Sequence, residues 1–186
     1  LDGSGVAQFT PPSLADYPDV HWHAAENARR VNLDTLTRAQ IAEWQPGETV
    51  LLSGKLLTGR DAAHERITEM LARGEKLPEG VDFNGRFIYY VGPVDAVRDE
   101  AVGPAGPTTA TRMDKYTEAM LAKTGLMGMV GKAERGVAAI QSIKNHQAVY
   151  LIAIGGAAYL ISKAIRHTKI VTITDLNMKQ IYELEA

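Results

Sequence analysis

Three short stretches carry residues whose types and places suit anion chemistry. GPAGPTTATRMD, Gly103 to Asp114, sets two threonines and Arg112 behind a stiff Gly-Pro loop, where the spacing predicts that a helix begins. TGRD places Arg60 between a predicted strand and a predicted helix, and GKAER places Lys132 just after a strand and a glycine. Helix starts carry partial positive charge from unpaired N–H groups, and a cation there is disfavoured by about 0.3–1 kcal/mol. One such cation is noise. Three at the same kind of position predict a site for a ligand with more than one negative group. Glycines beside two of them allow close backbone approach. In open α/β sheets ligands bind at the carboxyl ends of strands, where these loops gather. Thr108 and Thr109 bring hydroxyls into the same space, Thr109 as the helix cap and Thr108 facing the ligand. Each cation also has an ordinary reading: Arg60 paired with Asp61, Arg112 with Asp114 or Glu118, Lys132 with Glu134 or with solvent.

Other chemistries find less support. GLMGMVGKA has the outline of a phosphate loop, but Leu126 replaces the first required glycine and Ala133 the hydroxyl residue. No G-x-G-x-x-G occurs. HWH would put His21 and His23 on one face of a strand, a spacing that can hold zinc. No further histidine nearby completes a shell, so a surface or interface role is the reading adopted, with no metal ligands assigned. His64 lies one helical turn after Arg60 and serves either as a proton carrier or as a hydrogen-bonded structural histidine, the latter preferred. The chain has no cysteine, which excludes disulfides, thiolate catalysis and cysteine-held metals within it.

The elements that must position these residues alternate. Asn32–Glu48 predicts a short helix with Thr37 as N-cap, closed by Pro46-Gly47. Strand-like TVLLSGKLLTG precedes a helix over 60–74, with Ala62, Ile67, Met70 and Leu71 at helical spacing and Gly74 at its end. Strand RFIYYVG follows, then a helix over 109–125, strand LMGMVG, a helix over 132–146 with Gly136 as its weak spot, strand AVYLIAIGG, helix AAYLISKAIRH and strand KIVTIT. NMKQIYELEA reads as a short helical turn leading into a strand that the fragment cuts off. This alternation predicts an α/β fold with a mixed, partly parallel sheet and helices packed on it. Residues 1–30, rich in glycine and proline and without sustained period, read as a linker or extended arm from a missing N-terminal domain; residues 31–186 read as the folded domain.

The 186 residues suffice for one domain with a sizeable core. With 45% hydrophobic and 23% charged residues and a net charge of -2, composition gives no reason to expect nucleic acid or an anionic membrane as partner. The longest apolar run, AVYLIAIGGAAYLIS, is too short to span a bilayer. The chain starts at Leu1, which reads as a fragment of something longer.

LSGKLLTGRDAAHERITEML, IYYVGPV, GPAGPTTATRMDKYTEAML, VGKAERG and IGGAAYLI, in this order, resemble the C-terminal part of class I, iron–sulfur-dependent fumarases and the β subunit of the related tartrate dehydratases. The resemblance implies a swivelling β/β/α domain set against a larger N-terminal domain or α subunit. That partner would hold a 4Fe–4S cluster through three cysteines, with the open iron acting as Lewis acid on the substrate. It also implies reversible hydration of fumarate to malate, a cytoplasmic enzyme and a homodimer. Carried over by motif, Arg60, Arg112 and Lys132 would bind the dicarboxylate with Thr109 beside them. Thr108 would act as base at the carbon that loses its proton, assisted by an acidic residue of the partner. Arginine suits carboxylates because its fork bonds bidentately. The chain departs from the family's Gly-Lys-Gly-x-Arg-Ser at Ala133 and Gly136. Tartrate or another hydroxy-diacid is the alternative substrate, and a non-catalytic dicarboxylate-binding module the alternative of a different class.

Overall fold

A computed structural model describes residues 26–96, 99–172 and 181–186, together with Ser13 and Ala15. His21, His23 and most of the expected arm lie outside the described residues. The elements run β1 (Arg29–Asn32), α1 (Arg38–Ile41), β2 (Val50–Ser53), β3 (Lys55–Thr58), α2 (Asp61–Ala72), β4 (Phe87–Tyr89), α3 (Asp114–Thr124), β5 (Gly128–Gly131), α4 (Val137–Asn145), β6 (Val149–Ile152), α5 (Ala158–Ala164), β7 (His167–Thr172) and β8 (Ile181–Glu185). A 3-10 turn, Ala110–Met113, leads directly into α3.

Six strands form one mixed sheet in the order β6-β5-β4-β3-β8-β7. β3 to β6 run parallel, as strand–helix alternation requires, while β8 lies antiparallel to both β3 and β7. The residues PheIleTyrTyrVal from Phe87 to Val91 are all buried. Their side chains alternate: Ile88 and Tyr90 join one core, and Phe87, Tyr89 and Val91 the other. The first core takes Ile67 from α2, Met120 and Leu121 from α3, and Ile143 from α4. The second takes Val31 and Leu52 from a small parallel β1–β2 sheet, Ile41 from α1 and Ile161 from α5. The layers are thus small sheet, large sheet, helices, a β/β/α arrangement. Each fully buried aliphatic or aromatic side chain contributes about 1.5–3 kcal/mol.

Three local expectations are corrected. The run 49–59 is not one strand. Gly54 sits at φ 91°, a left-handed conformation that turns the chain from the small sheet into the large one. The last helix of the central region starts at Val137, with Gly136 as its extended N-cap. Gly136 therefore begins that helix, and Lys132 stands ahead of it. Ile181–Glu185 is already a strand, so the strand expected after the helical turn lies within this chain and takes up the residues given to the turn. Among the described residues no helix is long and apolar enough to cross a membrane.

Candidate functional site at the carboxyl edge of the parallel strands

The loops leaving β3, β4 and β5 bring the predicted site residues to one edge of the sheet. Arg60 is the N-cap residue of α2, extended at φ -130° and ψ -164°. Its side chain lies against Gly92, where an added Cβ would come within 2.8 Å of a guanidinium nitrogen. The Arg60 Nε is buried and has no hydrogen-bond partner among the described residues. A buried charged donor left unpaired is costly, which marks the place as one where an acceptor belongs.

Thr108 is fixed at the same edge. Its backbone N–H and its Oγ1 hydroxyl both donate to the Tyr90 carbonyl, each at 2.8 Å. Lys132 N–H donates to the Thr108 carbonyl at 3.0 Å, and Ala110 N–H to the Lys132 carbonyl at 2.9 Å. Thr109 and Lys132 thereby form an isolated parallel bridge. Thr108 and Lys132 are held by main-chain bonds while the Lys132 side chain stays exposed.

The capping expectation fails. Neither threonine caps the helix: Thr109 precedes the 3-10 turn without a side-chain cap bond, and the Thr108 hydroxyl is turned to Tyr90. Arg112 lies in the 3-10 turn rather than in the first turn of α3, whose first residue is Asp114. Lys132 is likewise not in a helix start, so the dipole argument applies to Arg60 alone. The ordinary pairings also differ. Arg112 meets Asp61 at 3.5 Å, Asp114 pairs with Arg135 at 2.6 Å, and Glu118 pairs with His146 at 3.0 Å.

Arg135 and Tyr90 were not singled out in the sequence. Arg135 is buried, and its partner Asp114 comes from another element. Such a pairing leaves no local sequence signal beyond an arginine in a Gly-bounded loop. Burial pushes the Tyr90 phenol up to about 12, so it stays neutral.

His64 resolves to the structural reading. It is buried, its ring meets Tyr90 edge-on at 5.4 Å, and its Nδ1 lies 2.9 Å from the Arg60 carbonyl. A carbonyl only accepts, so Nδ1 carries the proton and donates. Burial pushes His64 down to about 4, against the opposing pull of that bond. The unfolded chain takes a proton near 6.5, which the folded chain refuses until about 4. Stability is therefore full above pH 6.5 and falls by up to about 1.4 kcal/mol per pH unit as pH drops towards 4, about 3 kcal/mol in all. Urea midpoints measured from about pH 7 to about pH 4.5 should show this slope, and His64→Gln should flatten it. An equal slope in both proteins would contradict the assignment.

Ala133 holds φ 64°, a left-handed conformation that costs a residue with a Cβ about 1–2 kcal/mol. The loop that carries Lys132 thus holds strain that a glycine at this position would not have. Ala133→Gly should raise stability by about 0.5–1 kcal/mol, the relief of strain offset in part by the freer unfolded chain. Calorimetry should show the melting temperature rising by a few degrees at most.

The family model for the fumarase C-terminus matches residues 3–186. Fumarate hydratase 2 of Leishmania major is 33% identical over 183 residues, covering 96% of this chain and 31% of that protein. The aerobic class I fumarate hydratase of Escherichia coli K12 is 35% identical over 148 residues, 79% of this chain and 27% of that protein. The putative L(+)-tartrate dehydratase subunit beta of Methanocaldococcus jannaschii is 36% identical over 154 residues, 81% of this chain and 78% of that protein. The chain spans less than a third of the length of those two fumarate hydratases but most of the length of that subunit. With a mixed α/β sheet and nearly the whole sequence within the family model, the chain belongs to the fumarase C-terminus family.

Proposed function

We propose that this chain is the substrate-binding and catalytic domain of an iron–sulfur hydro-lyase that reversibly hydrates fumarate to malate. The observation that carries the reading is the buried Nε of Arg60, without a hydrogen-bond partner among the described residues, on the edge that also presents Thr108 and Lys132. A substrate carboxylate supplies the missing acceptor. Arg112 and Lys132 serve the remaining negative charge, and Thr109 adds a hydroxyl. Thr108 Oγ1 donates to the Tyr90 carbonyl, which leaves its lone pairs for the substrate. As base in the dehydration direction, Thr108 turns its hydroxyl from the Tyr90 carbonyl to a carboxylate supplied by the partner domain, gives its proton to that carboxylate and takes the proton from carbon on its oxygen.

The residues of this chain do not fit a cluster. It has no cysteine, and among its described residues no group of three or more His, Asp or Glu is placed to hold a metal. In this reading the 4Fe–4S cluster belongs to an N-terminal domain or α subunit, in a cytoplasmic homodimeric enzyme.

A second reading has its own support. The chain covers most of a protein named as a tartrate dehydratase subunit beta, so tartrate and a separate cluster-bearing subunit are the alternative. The chain should be reconstituted anaerobically with its cluster-bearing partner and assayed on fumarate, malate and tartrate. Hydration of fumarate by the assembly, and none by this chain alone, is the expected result. Turnover of tartrate only would establish the alternative. Dicarboxylate binding without turnover in the loaded assembly would reduce the chain to a binding module.

A further inference from the structure

We infer that Arg135 is a positioning residue for this site, locking the Lys132 loop and the carbonyl that holds Thr108; the inference rests on the hydro-lyase reading above. Only 1% of its side chain is exposed. Nε donates to Asp114 Oδ1 at 2.6 Å, one terminal nitrogen donates to Thr117 Oγ1, and the other lies 3.5 Å from the Tyr90 hydroxyl. The guanidinium carbon stands 5.6 Å from the centre of the Tyr90 ring and 5.1 Å from that of Tyr150.

Each of these partners ties down part of the site. The other oxygen of Asp114 accepts Gly136 N–H at 2.7 Å, closing the far end of the Lys132 loop. Tyr150 donates its hydroxyl to the Ala133 carbonyl at 2.7 Å, holding the strained residue next to Lys132. The Tyr90 carbonyl receives both bonds from Thr108. One buried cation therefore touches two side chains that hold the loop of the proposed anion-binding lysine, and the ring of Tyr90, the residue whose main-chain carbonyl holds the proposed base. It reaches neither ligand residue directly, so its effect passes through geometry. A flat guanidinium fork can satisfy Asp114 and Thr117 together, whereas an ammonium offers one charge centre.

The test compares Arg135→Met and Arg135→Lys with Leu33→Ala in the assembled, cluster-loaded enzyme. Leu33 belongs to the core on the opposite face of the sheet and controls for lost stability alone. Arg135→Met should raise KM and lower kcat, each by about 10- to 100-fold, as misplacement of a site by a fraction of an ångström does. Arg135→Lys should recover part of the loss. Leu33→Ala, assayed below its melting range, should keep both constants within about twofold of wild type. Should Arg135→Met fail to fold, Asp114→Asn takes its place, because it keeps an acceptor for Gly136 and removes the charge. Kinetic constants in these variants equal to those of Leu33→Ala overturn the inference while leaving the hydro-lyase reading intact. A wild-type assembly inactive on fumarate, malate and tartrate overturns that reading, and the inference with it.

Discussion

Thr108→Val in the assembled enzyme is expected to lower kcat by roughly two to four orders of magnitude, with a far smaller change in KM. Valine keeps the shape of threonine and removes the hydroxyl. The fold should tolerate the change, because the Thr108 N–H still bonds the Tyr90 carbonyl and the Thr108 carbonyl still accepts from Lys132. Loss of the Oγ1 bond to Tyr90 should cost about 0.5–1.5 kcal/mol of stability. Thr109→Val supplies the contrast. Its hydroxyl caps nothing, so in the proposed site it touches binding, and KM should move more than kcat. A Thr108→Val enzyme with near-normal kcat would transfer the base to the partner domain.

Arg112→Ala should cut kcat/KM by about 2–5 kcal/mol in transition-state terms, roughly 30- to several-thousand-fold, as expected when a desolvated carboxylate loses its partner. Stability should barely change. In the free chain Arg112 is half-exposed and, among the described residues, its ion pair is with Asp61 at 3.5 Å, and exposed pairs of this kind contribute about 0–1 kcal/mol. The two readouts therefore separate. Unchanged kinetics alongside a lowered melting temperature would make Arg112 a structural residue. Arg112→Lys tests the fork: if bidentate geometry matters, lysine restores only part of the loss.

Most of the architecture could be read from residues close together in the chain. The period of two in FIYYV and the helical spacing of Ala62, Ile67, Met70 and Leu71 each report local structure. β8 could not be read in this way. Ile181 and Leu184 are three residues apart, the spacing of one helical turn, yet in a strand buried on both faces they point to opposite cores. That double burial exists because β8 lies inside a sheet with a core packed on each face, which no local window reveals. The site divides along the same line. Arg60, Thr108 and Lys132 follow or flank strands, and strand ends are locally legible. The pairs Arg112–Asp61 and Arg135–Asp114 join separate elements, so they depend on how those elements pack. The capping role given to Thr109 failed because the Tyr90 carbonyl and the Lys132 main chain, both distant in sequence, claim this segment first.

The placement of β8 has a consequence for how the molecule is made. Leu56 pairs with Leu184 and Thr168 with Leu184, so the final strand is the wedge between β3 and β7. On a ribosome, β3 emerges well before β8 and waits with one edge unpaired until residues 181–185 have cleared the exit tunnel. The loop to be closed spans well over half the chain, a high contact order that slows the last step of folding. Until then β3 offers a bare row of N–H and C=O groups to any neighbouring nascent chain. Synthesis that stalls shortly before Ile181 should therefore release aggregation-prone polypeptide, and chaperone demand should peak there rather than at the catalytic loops.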